Sequence, residues 1–247
     1  MALLAERLKS LTGIQNLEEL EEDTIITDND GNTAPGLVTS WFDSAAKDVI
    51  NVLPPQTLYV MGESEIVQGT FFDGPSDSSS SVPQSRILSV RRTQIAGQTV
   101  AHECREIDAS KKGYAKVNDY MYSATNESPV FYRENGKIFI LPTLTGNNNS
   151  DKGIVEIVYV KYPEVLPFNL GFIRKFPDEI ENLVVLKASV YGKFYQIGLA
   201  NTEEDLEVAA SHTNHMSALN QEYTMCLQNY LSGYQLNAKE QGVVNDS

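Results

Sequence analysis

The chain has 247 residues, 41% of them hydrophobic, with 33 acidic and 19 basic side chains and a net charge of −14. That apolar share supports a packed core and excludes wholesale disorder. So large an acidic excess repels nucleic acid and anionic membranes, and no run of about 18 apolar residues is present to cross a bilayer.

Leu3, Leu4, Leu8 and Leu11 recur at helical spacing, and Gly13 is a natural stop. An acidic stretch from Glu18 to Asp30 follows, with Asp30-Gly31 marking a turn. A second helix is expected from about Pro35 to Leu53. Its stripe is Val38, Trp41, Phe42, Ala45, Val49 and Val52, and Pro54-Pro55 end it.

From Thr57 to about Val165 β-formers take over. The expected strands are Thr57–Met61, Thr70–Phe72, Ile87–Thr93, Thr99–Glu106, Val130–Arg133, Lys137–Leu141 and Ile154–Tyr162. Asn135-Gly136 is a strong hairpin signal, because both positions tolerate positive φ, and Ala96-Gly97 marks another turn. The polar segments Gly74–Ser81 and Asn147–Asp151 bury nothing and read as loops.

Helical periodicity returns after Pro163 and Pro167. Pro177-Asp178-Glu179 opens one helix, whose apolar face includes Ile180, Leu183, Val184, Val190 and Phe194. Thr202-Glu203-Glu204-Asp205 reads as the capped start of the next. That helix follows Leu206, Ala210, Thr213, Met216, Tyr223, Leu227 and Tyr230 to Gly233, a span of roughly 30 residues or ~45 Å. The expected fold is α+β: a helical bundle of N-terminal helices plus two C-terminal helices, the last one long, interrupted by a β-rich insertion. The expected divisions are 1–55, N-terminal helices; 56–165, insertion; 166–236, C-terminal helices; and 237–247, a flexible tail.

Chemistry-bearing motifs are sparse. Asp28-Asn29-Asp30-Gly31-Asn32 resembles a calcium loop, but Ile26 and Leu37 would occupy its first and bidentate positions, so it reads as an acidic turn. His102 with Cys104, and His212 with His215, share faces of their elements without zinc-site spacing. There is no nucleophile elbow, phosphate loop or dinucleotide glycine pattern. The expectation is therefore no catalytic residue, metal or cofactor, with a carboxylate- or zinc-dependent hydrolase as the enzymatic alternative. Two well-separated cysteines suggest free thiols in a reducing compartment. The opening MALLAERLKSLTG lacks a signal-peptide pattern, which points to folding in the cytosol of the cell that makes it.

Three stretches carry a resemblance. They are Trp41-Phe42-Asp43-Ser44-Ala45-Ala46-Lys47-Asp48 running into Leu53-Pro54, the strand phrase Gly136-Lys137-Ile138-Phe139-Ile140-Leu141-Pro142, and Phe176-Pro177-Asp178-Glu179 leading to the long last helix. Together the layout resembles the head-to-tail connector adaptor, or neck, proteins of tailed bacteriophages. The resemblance implies a structural virion protein at the head–tail junction. It would form a ring of twelve subunits between the portal protein and a tail or second neck protein, with a channel through which DNA passes without specific binding, and no membrane contact. Another tail-interface or tail-completion protein is the alternative. The resemblance further implies that the C-terminal segment docks on the portal, with Tyr234, Leu236, Val243 and Val244 as its apolar points. Tyr223, Tyr230 and Trp41 are the expected subunit-interface residues, since Tyr offers apolar area with a polar tip; the same residues can equally cover the chain's own core.

Overall fold

The computed structural model describes residues 4–27, 33–68, 85–93, 101–116, 123–125, 127–134, 137–142, 154–162 and 176–243. The chain divides into two compact units, one of residues 1–53 with 163–247 and one of residues 54–162. The fold is α+β, with two C-terminal helices and a β-rich insertion in the sequence between the helical parts.

The helical unit opens with α1 (Leu4–Thr12), whose Leu4, Ala5 and Leu8 are buried. Gly13 ends it at φ +76°, a left-handed stop in which its N–H donates to Lys9 O at 2.8 Å. A helix not foreseen, α2 (Leu17–Asp23), occupies part of the acidic stretch. Leu17 and Glu21 are its buried points, so the charge of its neighbours masked a short amphipathic turn. β1 (Ile26–Thr27) and β2 (Thr33–Ala34) then pair antiparallel; the acidic turn expected between them lies outside the described residues. α3 (Leu37–Val52) buries Val38, Trp41, Phe42, Ala45, Val49 and Ile50, while Val52 is exposed and off the stripe. Full burial of each large side chain here contributes about 1.5–3 kcal/mol.

The β-rich unit begins with α4 (Pro55–Leu58) and a 3-10 turn over Tyr59–Met61, where a strand was expected. Pro55 at the first helical position suits a helix start and overrides the β preference of Thr57 and Tyr59. The strands are β3 (Glu63–Gln68), β4 (Ser85–Thr93), β5 (Ala101–Glu103), β6 (Arg105–Glu106), β7 (Val130–Glu134), β8 (Lys137–Leu141) and β9 (Ile154–Lys161). A 3-10 turn over Ala109–Lys111 and the short α5 (Lys112–Lys116) follow β6. One sheet runs β3-β9-β4-β5 and the other β6-β7-β8.

The expected strand Thr99–Glu106 is two strands in different sheets, divided at Cys104. Its N–H donates to Val90 O at 2.8 Å, whereas the next N–H, from Arg105, donates to Pro129 O at 3.0 Å. β7 and β8 pair with Glu134 opposite Lys137, the register a two-residue connection requires; Asn135 and Gly136 lie outside the described residues, as do Thr70–Phe72, Gly74–Ser81, Ala96-Gly97 and Asn147–Asp151. Alternation along β7 and β8 sends Phe131, Ile138 and Ile140 to a core shared with Val90, Val155 and Ile157. Val130, Tyr132 and Leu141 face a second cluster with Ala115.

α6 (Asp178–Thr202) and α7 (Leu206–Val243) complete the helical unit as a hairpin. The expected cap shifts: Thr202 is the last residue of α6, its hydroxyl donating to Gly198 O, and Asp205 caps α7 by accepting from Val208 N at 3.1 Å. Between them Glu204 adopts φ +60°, the left-handed position that lets the chain reverse in three residues. α7 meets α6 along a seam through Ala209, His212, Met216, Leu219, Tyr223 and Cys226, alternating steps of three and four. Leu206, Ala210 and Thr213, expected on that stripe, are exposed. The helix also continues past Gly233 to Val243 instead of stopping there. A helical glycine costs only about 1 kcal/mol, and Leu236, Ala238, Lys239 and Glu240 beyond it are strong helix formers.

Candidate functional site

α1, α3 and α6 converge where side chains are small. A Cβ on Gly192 would lie 3.0 Å from Thr12 Cγ2 and 3.4 Å from the Trp41 ring, so glycine sets how closely the three helices approach. Beside it the buried ammonium of Lys193 donates to the carbonyl of Thr12, satisfying an open acceptor at the end of α1. Burial lowers the pKa of Lys193. Burial also holds His212 on α7 below the usual histidine range, an effect reinforced by Lys193 and His215. At the other end of α1, Arg7 bridges to the buried Glu181 at 2.9 Å and to Asn182 at 2.8 Å.

A polar clasp joins α3, α6 and α7. The Tyr191 hydroxyl donates to Asp48 Oδ2 at 2.5 Å, and Lys187 Nζ lies 3.9 Å from the same oxygen. That ammonium also sits 5.6 Å from the Tyr191 ring centre and 5.5 Å from that of Tyr223, within cation–π range of both. Burial, with the hydrogen bond to the Asp48 carboxylate, pushes the Tyr191 phenol up to about 12. Burial, and then the nearby negative charge of Asp48, raise Tyr223 as well. A charged lysine between two neutral phenols binds and orients; it offers no nucleophile–base pair.

Next to the clasp an open groove of about 630 Å³ lies between the first half of α3 and the last half of α6. Its floor is Trp41, whose ring tilts against Tyr195 at 5.7 Å, and its far wall is Leu37 with Leu199. Phe194 is 68% exposed at its lip, and Gly198 leaves the middle open, with nothing within 4 Å of where a Cβ would stand. Past the α6–α7 turn, Leu206 and Val208 add exposed apolar surface. From Ala188 to Thr202 the only charged residue is the buried Lys193, and from Val208 to Gln221 there is no Asp, Glu, Lys or Arg. Cores of protein interfaces are depleted of charge in this way.

Trp41 and Tyr223 are 7% and 8% exposed, and both pack within the helical unit, leaving only their edges for a neighbour. Tyr230 is half-buried on the seam. Tyr234, Leu236 and Val243 lie on the last turns of α7, and Val244 lies outside the described residues. The groove was not legible in the sequence, because its two walls come from opposite ends of the chain. A signal was present in the paired aromatics Tyr191, Phe194 and Tyr195 within a charge-poor helix.

In the β-rich unit Cys104 is buried in the core, which pushes its thiol up to about 12 and leaves it inert. Among the described residues no cluster of three or more His, Cys, Asp or Glu is placed to hold a metal ion, and no helix is long and apolar enough to cross a membrane. No protein-family model matches this chain, and no curated protein matches it in sequence.

Proposed function

We propose that the chain is a structural subunit of a tailed-bacteriophage neck, a head-to-tail connector adaptor that forms a ring of twelve copies between portal and tail and has no enzymatic role. The observation that carries the reading is the unequal hairpin of α6 and α7. The two helices have 25 and 38 residues and a three-residue connection, so about 13 residues of α7, ~20 Å of helix, run on beyond the start of α6. A helix longer than its hairpin partner is a suitable arm for a partner, and its last turns carry Tyr234, Leu236 and Val243 of the proposed portal-docking residues, with Val244 next in sequence.

The charge-poor half of the hairpin supports the same reading. Copies of a chain with net charge −14 repel one another, so lateral contact is favoured where exposed charge is missing. The acidic excess elsewhere suits a channel through which DNA slides without adhering. A tail or second neck protein would take the opposite end of the ring, and the site of action would be the virion.

The test is mass by light scattering on the purified chain, alone and with a candidate portal protein. A ring-sized species, either alone or only in the presence of portal, is expected. A stable monomer or dimer that ignores the portal overturns the proposal.

A further inference from the structure

We infer that the α3–α6 groove is a docking site for a segment of another protein that carries aliphatic or aromatic side chains beside a Lys- or Arg-bearing flank. This stands apart from the ring reading, since it needs no oligomer of this chain. The apolar half of the inference follows from Trp41, Leu37 and Leu199 lining an open groove with Phe194 exposed at its lip. Clustered apolar surface around a concavity marks an interaction site more often than scattered exposed residues do.

The basic half follows from the charge at one end. Thr202 lines the groove, and directly after it come Glu203, Glu204 and Asp205, with Glu207 two residues on, all exposed. The C-terminus of α6 adds the negative end of its helix dipole, with no basic residue in its last turn. The positive end of α3 lies at the same end of the groove, but it is already answered within the helical unit. Its Thr39 N–H donates to Glu21 Oε2 at 2.9 Å and its Leu37 N–H to Thr24 Oγ1 at 2.7 Å. The positive end of α7 is likewise answered, by its cap Asp205, so the charge left at the rim is that of Glu203, Glu204 and Glu207.

The same charges disfavour a second copy as occupant. A segment of a second copy brings on average more acid than base, 33 against 19 over the chain, and so does not answer an acidic rim. Six basic side chains are moreover already paired with the chain's own carboxylates: Arg7, Lys47, Arg91, Lys112, Arg133 and Lys187. A foreign segment that brings its own cations satisfies both the groove and its rim.

Trp41 is the only tryptophan in the chain, so its emission reports occupancy without a label. The experiment titrates the full chain with a synthetic amphipathic peptide bearing Leu and Phe on one face and lysines at one end, and with the same peptide bearing glutamates there. A saturable change in Trp41 emission is expected with the lysine peptide, with binding about tenfold weaker for the glutamate peptide and weakening with added salt. Gly198→Leu should fill the groove and abolish the change, whereas Gly198→Ala, which fits the helix and adds little bulk, should retain both fold and binding. Glu203→Lys with Glu207→Lys should remove the preference for the lysine peptide. No saturable change, equal affinity for the two peptides, or undiminished binding by a folded Gly198→Leu overturns the inference. A Trp41 signal that follows protein concentration without peptide points to a second copy in the groove and overturns it too.

Discussion

The carboxylate of Glu21 accepts a hydrogen bond from the backbone N–H of Thr39 at 2.9 Å, so a side chain of α2 caps α3. The residue at α3's own cap position, Gly36, has no side chain to do so. A Cβ there would lie 2.3 Å from Glu21 O and 2.6 Å from Glu21 Oε2, and glycine is what admits the carboxylate. Glu21→Ala is expected to lose about 1–2 kcal/mol in urea unfolding, with Glu21→Gln keeping part of it. Gly36→Ala should cost at least as much, because backbone as well as side chain must shift.

Tyr191→Phe keeps the ring beneath Lys187 but removes the bond to Asp48. A loss of about 1 kcal/mol is expected, and a double-mutant cycle with Asp48→Asn should show the two effects to be coupled. The pH dependence has a definite sign. The Tyr191 phenol titrates at about 12 when folded against 10.0 ordinarily. Its contribution is thus complete below pH 10 and is lost as pH rises from there through about 12. Alkaline unfolding followed by circular dichroism should show that loss in the parent and less of it in Tyr191→Phe.

How far the fold was legible depended on whether burial and composition agreed locally. α3 could be read because Val38, Trp41, Phe42, Ala45 and Val49 are both apolar and buried. α2 could not, because Glu21, one of its two buried residues, is an acid serving another helix. The division at Cys104 left no trace in composition, since β5 and β6 differ only in which sheet receives their hydrogen bonds. The α6–α7 turn misled by offering Thr202 and Asp205 as competing caps; the left-handed Glu204 decided for Asp205. The groove required knowing that Trp41 meets Tyr195, a tertiary fact that no local pattern encodes.

The two free cysteines should separate cleanly by reactivity. Cys104 is buried in the core with its thiol raised to about 12, whereas Cys226 is half-buried on α7. An aromatic disulfide reagent at neutral pH is expected to titrate one thiol in the native chain and the second only after denaturant is added. Rapid reaction of both would show that the β-rich core opens far more readily than its packing implies.

Gly233 tests whether the far end of α7 acts as an arm. Nothing lies within 4 Å of where its Cβ would stand, so Gly233→Ala fits without strain and should strengthen the local helix by about 0.5–1 kcal/mol, seen as raised helicity. Gly233→Pro removes a hydrogen bond and clashes with the preceding turn, a local cost of about 3 kcal/mol that breaks the helix there. It should leave the thermal midpoint of the bundle nearly unchanged, because Ala209, Leu219 and Tyr223, the buried seam residues among those described, lie before residue 233. Portal binding should survive Gly233→Ala and fall steeply in Gly233→Pro and on truncation after Gly233. Undiminished binding by the truncated chain would remove the arm from the mechanism and move the portal contact onto the rest of the protein.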